Sequence, residues 1–415
     1  MRAVVVGTGK IGCGYLAPLF ADAGWQVTLG ARSAEKAARI RAARGFWVTV
    51  TGPSAQSTMV DGIDAAAVDS PEFCRAVSAA DVVALAVGVG AVRGAAGALA
   101  RALATRPVDR PVDVWVVENG DCAATLRDAV QSVADAEGLR LPPVGFAGGV
   151  AHVAVGRGDW SGSGRPEFVG DDARRLAVDG TGLLTPLPDL EGVWATGQYL
   201  ARLREKLYIF NAGHAISAYL GWLRGHRTLA EAVADPQLRP IIVGCLIESR
   251  KAVIEAYPEL ATGEGTSPDL HEPVADALRR FADPDLADPI LRVARDPIRK
   301  LAPHDRLLGP VRLIRDATGG VPAHFALGVA GALLYRGDGD EQARNLAGQL
   351  SRDGVMAVLE RVCGLPRGDA FAEAVATRYR GFILTAEGAI FPPVHTTDAL
   401  LAPALDTPVE PARTR

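Results

Sequence analysis

The sequence of 415 residues lacks most of the features that would assign it at once. Its five cysteines (Cys13, Cys74, Cys122, Cys245, Cys363) are far apart and form no short paired spacing, which argues against a disulfide framework and against a zinc knuckle. No metal site is expected. No uninterrupted apolar run is long enough for a bilayer: the nearest, VVALAVGVGAVRGAAGALA from Val82, is broken by Arg93. Its valines fall in the first half and its alanines in the second, so it reads as a buried strand followed by a helix. Charge of one sign is also missing. A net charge of −4 gives no pull toward polyanions, so neither nucleic acid nor a membrane surface is an expected partner. The opening MRAVVVGTG has no charged start, long apolar middle or small-residue cleavage site, so export is not expected and a cytoplasmic location is. No repeat of fixed period is present.

What remains is an ordinary globular composition, 48% apolar and 22% charged, in a chain too long for one core. Residues 1–155 alternate β-branched runs with alanine-rich stretches. AVVVG (3 to 7), QVTLG (26 to 30), DVVALAV (81 to 87), VDVWVVE (112 to 118) and FAGGVAHVAV (146 to 155) are predicted strands of a parallel sheet. Residues 156–190, rich in Gly, Asp and Pro, are predicted to be loops with an irregular hairpin. Beyond Gly197, apolar residues recur at spacings of three and four, which predicts helices separated at Pro268, Pro284, Pro289 and Gly319–Gly320. The expected fold is an α/β N-terminal Rossmann-type doubly wound sheet plus a mainly α-helical C-terminal domain. The domains are 1–195 and 196–404, with a disordered tail at 405–415.

GTGKIG follows the first strand directly and opens a helical stretch. In that setting Gly7 permits the tight turn, Gly9 lets the backbone approach a pyrophosphate, and Gly12 lets helix pack on strand. Lys10 and Ile11 complete this candidate coenzyme turn. After the second strand the chain reads Gly30-Ala31-Arg32-Ser33, without the acid that would hold both ribose hydroxyls. Arg32 and Ser33 suit a 2′-phosphate and no carboxylate remains there to repel it, so NADP is expected over NAD. The alternative is a solvated arginine and a loosely held NAD.

In REKLYIFNAGHAISAYLG, Lys206, Asn211 and His214 stand five and three residues apart. On one α-helix they fall within an arc of about 140°. Their apolar neighbours would desolvate Lys206 and lower its pKa toward a range useful for proton transfer. Asn211 could donate to an alkoxide, and His214 could orient the lysine or a substrate hydroxyl. An exposed lysine, an amide bonded within the fold and a satisfied core histidine fit the same spacing.

The Lys-x-x-x-x-Asn-x-x-His pattern, together with VVENGD, RVARDPIRKLAPHDRLLGP, DEQARNLAGQLSRDG and VLERVCGLPRGDAF, resembles the polyol-specific long-chain dehydrogenases of the mannitol dehydrogenase family. In detail it is most similar to the branch acting on mannitol 1-phosphate. The resemblance covers nearly the whole chain. It implies an NAD(P)-dependent, metal-independent oxidoreductase that interconverts a keto-sugar phosphate and a polyol phosphate by direct hydride transfer, with Lys206 as general acid–base. It further implies that Asn119 joins Asn211 at the oxyanion, and that Arg292 and Lys300 bind substrate oxygens. Arg295, Arg299 and Arg306 are extra cations suited to a phosphate, although Asp296 and Asp305 could pair with several of them. One departure from the family is Ala151-His152-Val153, where a Val-Asp-Arg sequence is usual. A related keto-sugar phosphate, a cyclitol phosphate, an unphosphorylated polyol or uronate, or a silent NADP(H)-binding protein are therefore alternatives. The expected partner is the small-molecule substrate, and the chain is expected to be a monomer or a dimer.

Overall fold

The computed structural model describes residues 1–162, 164–261, 272–385 and 388–390. The chain divides into two compact units, Met1–Leu203 and Arg204–Arg415. The turn expected at Pro268 and the tail at 405–415 lie outside the described residues.

The first unit contains β1 (Arg2–Val6), β2 (Gln26–Ala31), β3 (Gly45–Val50), β4 (Gln56–Asp61), β5 (Asp64–Ala67) and β6 (Val82–Leu85). It continues with β7 (Val112–Val116), β8 (Val144–Ala151), β9 (Val155–Arg157), β10 (Glu167–Gly170), β11 (Leu176–Asp179) and β12 (Val193–Thr196). Its helices are α1 (Ala17–Asp22), α2 (Ala34–Ala43), α3 (Pro71–Ala79), α4 (Val92–Leu103) and α5 (Ala123–Glu137). The main sheet runs β5-β2-β1-β6-β7-β8, all parallel, and is extended by β11 antiparallel to β8 and by β12. This is the doubly wound order in which the crossovers change direction beside β1. Alternation along β1 feeds both faces: Val4 and Val6 pack with Val83 and Val114, while Ala3 and Val5 join the cluster of Tyr15, Trp115 and Phe168. The stretch from Val82 forms β6 and then α4, as a buried strand followed by a helix.

Two expectations need correction. The run 146–155 is not one strand: β8 stops at Ala151, and Val155 begins β9 in a second sheet ordered β4-β3-β10-β9. Residues 156–190 hold the irregular hairpin expected there, β9 antiparallel to β10, but they are not otherwise simply loops, because β10 also pairs with β3 more than a hundred residues earlier, Phe168 opposite Val48. Such short strands exist through long-range pairing and leave little local pattern. The sequence reading also passed over β5 and the local antiparallel hairpin of β3 and β4, Val50 opposite Gln56.

The second unit follows α6 (Tyr199–Glu205), which crosses the boundary. It comprises α7 (Asn211–Leu223), α8 (Leu229–Ala234), α9 (Arg239–Ala256), α10 (Glu272–Phe281), α11 (Ile290–Ala294) and α12 (Pro297–Lys300). It continues with α13 (Leu308–Thr318), α14 (Ala323–Leu334), α15 (Glu341–Cys363) and α16 (Ala370–Gly381), then a short hairpin of β13 (Ile383–Thr385) and β14 (Gly388–Ile390). The central α7 is buried nearly all round, with Ile216, Ala218, Tyr219 and Leu220 fully enclosed. No described helix is long and apolar enough to cross a membrane.

Candidate functional site

In the first unit, a cavity of about 790 Å³ opens at the carboxyl ends of β1, β2 and β6, lined by Gly7, Gly9, Lys10, Gly30, Arg32 and Ser33 among others. The three glycines differ in what they permit. Gly7 holds φ at +118°, and a Cβ there would meet the Ala86 carbonyl oxygen at 2.2 Å. A Cβ on Gly12 would sit 1.9 Å from the Gly7 carbonyl oxygen. One on Gly9 would meet nothing within 4 Å, so this backbone faces open space suited to a close ligand. The segment Gly12–Leu16 is a π-turn, fully buried, and Ile11 packs on the core beneath rather than lining the cavity. Glu118 braces the rim by accepting the backbone N–H groups of Val87 and Gly88, each at 2.7 Å. Asn119 beside it is exposed.

Ser33 caps α2 by accepting the Lys36 N–H at 3.2 Å, which leaves its own hydroxyl proton to donate. Arg32 is exposed at the cavity, and Lys36, unremarked in the sequence, also lines it. Gly158, Asp159 and Trp160 form a further wall from the loop after β9, with the Lys10 ammonium donating to the Gly156 carbonyl. Asp159 corrects the expectation of a cavity free of carboxylates. Hydrogen bonds from Ser161, reinforced by the charges of Lys36 and Lys10, hold it below the usual carboxylate range, so it is ionised at neutral pH. A dinucleotide fits this cradle: open backbone at Gly9 for the pyrophosphate, and Arg32, Ser33 and Lys36 at the ribose end.

In the second unit, Lys206, Asn211 and His214 are not on one regular α-helix. Lys206–Phe210 is a π-turn, closed by the Asn211 N–H donating to the Lys206 carbonyl, and α7 begins only at Asn211. The i→i+5 bond sets the Asn211 backbone more nearly above Lys206 than the α-helical arc would. Lys206 is half-buried among buried Leu207, Tyr208 and Ile209. Asn211 is 7% exposed, and its Nδ2 is buried with no hydrogen-bond partner among the described residues. A buried amide without a partner is costly to the fold.

His214 is positioned differently from the expectation. It lies between the rings of Phe210 and Phe281, and its Nε2 is 2.9 Å from Asp288 Oδ2. Burial pushes His214 below its ordinary value, so the neutral ring donates from Nε2 and keeps Nδ1 as an acceptor. Burial alone would raise the Asp288 carboxyl. The hydrogen bond from His214 and the charge and hydrogen bond of Arg292 outweigh it and hold Asp288 at about 2. Arg292, expected on substrate oxygens, forks onto both oxygens of Asp288. Asp288 was missed by the sequence reading, its only local signal being an acid four residues before Arg292.

The remaining cations share two acids. Arg306 bonds Asp305 at 2.7 Å, Arg299 lies 3.5 Å from Asp305 and 3.8 Å from Asp296, and exposed Arg295 lies 3.8 Å from Asp296. The pairing with Asp296 and Asp305 therefore occurs. Lys300 is 4% exposed and donates to the Arg295 carbonyl. Burial, and then the charges of Arg306 and Arg299, hold its amine well below the usual lysine range. Among the described residues, no three His, Cys, Asp or Glu side chains converge as metal ligands.

With that geometry in hand, residues 199–383 match the Mannitol dehydrogenase C-terminal domain family. Among solved structures, the fold is similar to a Pseudomonas fluorescens mannitol 2-dehydrogenase ternary complex with NAD and D-mannitol, with TM-score 0.72 at 16% identity over 91% of each chain. It is also similar to a D-sorbitol dehydrogenase in substrate-free form, with TM-score 0.69 at 16% identity over 91% of this chain and 92% of that one.

Proposed function

We propose that this chain, whose second unit matches a mannitol dehydrogenase C-terminal domain, is an NAD(P)-dependent polyol dehydrogenase that interconverts a secondary alcohol and its ketone. The observation that carries the reading is the pair joined by the π-turn: half-buried Lys206 and, one turn on, the buried Nδ2 of Asn211, which has no hydrogen-bond partner among the described residues. A bound nicotinamide supplies or accepts hydride at the substrate carbon. Asn211 donates to the oxygen as it gains negative charge. Lys206 gives that oxygen its proton in reduction and removes it in oxidation. His214, held by Asp288, offers Nδ1 to a neighbouring substrate hydroxyl. The name of the matched mannitol 2-dehydrogenase complex, which includes NAD and D-mannitol, supports a polyol as the substrate class.

For the finer identity we favour a ketose phosphate and a polyol phosphate. Arg292, Arg295, Arg299, Lys300 and Arg306 outnumber the carboxylates Asp288, Asp296 and Asp305, and the buried Lys300 is crowded by like charge that an anionic substrate would relieve. A second reading, an unphosphorylated polyol, is favoured by the full engagement of Arg292 with Asp288. NADP is preferred because Arg32, Ser33 and Lys36 meet at one end of the cavity.

Lys206→Ala tests the reaction type: turnover should fall by about a thousandfold with NADPH binding intact. Retained turnover removes the lysine from the chemistry. Comparing kcat/KM for fructose 6-phosphate and fructose, each with NADPH and NADH, decides between the two substrate readings.

A further inference from the structure

A π-turn is one residue wider than the α-helix it interrupts, and it persists only where its surroundings over-determine it. At Lys206–Phe210 that support comes from α9. Ser249 is 1% exposed, and its hydroxyl donates to the Tyr208 carbonyl at 2.6 Å, inside the widened turn. The next residue, Arg250, also 1% exposed, donates from Nη1 to Glu205 Oε1 at 2.8 Å, directly before Lys206. The two bonds thus grip the chain on either side of the lysine. A third restraint is steric: the Tyr208 ring lies where a Cβ on Gly309 would stand, 2.3 Å from its nearest atom, and the Tyr208 hydroxyl donates to the His304 carbonyl at 3.3 Å.

From this arrangement we propose that Ser249 and Arg250 are positioning residues that hold the Lys206 turn in π geometry and so keep Lys206 stacked beneath Asn211. The inference rests on the reading of Lys206 as the proton-transfer group. If the turn relaxed to α geometry, the Asn211 N–H would move from the Lys206 carbonyl to that of Leu207, and Asn211 would rotate by about 100° relative to Lys206. A proton donor and an oxyanion donor separated in that way no longer address one oxygen.

Ser249→Ala is the clean test, because it removes the hydroxyl without leaving a charge. Any Arg250 substitution would break its ion pair with Glu205 at a site where Arg250 is 1% exposed, and risk misfolding. In the full-length protein with NADPH and fructose 6-phosphate or fructose, Ser249→Ala should lower kcat by about 10- to 100-fold, as expected for a small misplacement of a reacting group. KM for NADPH should not change, and the limb of the pH–kcat profile that Lys206 governs should move. Ser249→Thr, which restores a hydroxyl, should recover most of the rate. A crystal structure of Ser249→Ala should place the Asn211 N–H on the Leu207 carbonyl.

The proposal is overturned if Ser249→Ala melts at a lower temperature yet keeps its kcat and pH profile, or if its crystal structure retains the bond from Asn211 to the Lys206 carbonyl. Failure of the underlying reading looks different. Lys206→Ala would then turn over normally, while the crystallographic comparison would still decide whether α9 holds the turn.

Discussion

Both units place a π-turn beside their most reactive segment, but they hold it by different means. At Gly12–Leu16 the support is backbone and small residues: a Cβ on Gly12 would strike the Gly7 carbonyl, and one on Gly14 would come within 2.9 Å of Val155. At Lys206–Phe210 it is side chains from distant helices, Ser249 and Arg250 on α9 and the slot over Gly309. In the proposed function the first turn offers bare N–H groups to a phosphate, where side chains would obstruct it. The second must present a side chain, and therefore borrows its rigidity from its neighbours.

The sharpest way to break this comparison is through the glycines of the first turn. Gly12→Ala should push the helix off the strand and abolish coenzyme binding, with a stability loss of about 3 kcal/mol. Gly9→Ala meets nothing in the fold, so it should melt like wild type while binding coenzyme about tenfold to a hundredfold more weakly, its methyl standing where the pyrophosphate approaches. Thermal melts and coenzyme titration of both variants check the pair. Similar behaviour of the two would mean that the turn does not divide its roles between fold and ligand.

For the second turn, the corresponding strut is Asp288, which is 2% exposed and binds both His214 and Arg292. Asp288→Asn should cost about 3 kcal/mol near neutral pH, because it leaves Arg292 without its counter-charge. The folded value of about 2 lies below the unfolded value of about 3.9, so the native carboxylate binds protons less readily than the unfolded one. Its contribution is therefore complete above the unfolded value and is lost as pH falls through about 2. Urea denaturation at pH 7 should separate variant from wild type fully, whereas the gap should close toward pH 2. A gap that does not narrow on acidification would mean that Asp288 contributes by shape and not by charge.

This contrast also explains what the sequence made legible. The glycine turn and the parallel strands were readable because a glycine pattern encodes backbone directly and a valine run encodes a buried strand. Lys206, Asn211 and His214 were singled out by their spacing, but the geometry of the segment was not legible, since a π-turn bonded by Ser249, more than forty residues on, has no local signature. Asp288 and the wall at Asp159 were hidden for the same reason. One signal was available and unused. The chain has five lysines, Lys10, Lys36, Lys206, Lys251 and Lys300, among many arginines. Four of them lie on the coenzyme cavity, on the π-turn or in the cation cluster.

The smallest expected effect concerns how the first unit selects its coenzyme. In the proposed NADP reading Arg32, Ser33 and Lys36 bind the 2′-phosphate, whereas Asp159 stands on the same cavity and carries a charge that would oppose it. Arg32→Ala should weaken NADPH by about tenfold to a hundredfold, the worth of a charge-assisted hydrogen bond, and leave NADH nearly unchanged. Asp159→Asn should act in the other direction and more weakly. At an exposed site one charge is worth up to about 1 kcal/mol, so the preference for NADPH over NADH should rise by about fivefold at most. That gain should shrink in high salt, since both charges face solvent. Coenzyme titrations of the two single variants and the double variant at low and high ionic strength measure this. If Asp159→Asn instead weakens NADH alone, Asp159 is the acid that holds the ribose hydroxyls, supplied by the β9–β10 loop in place of the one missing after β2.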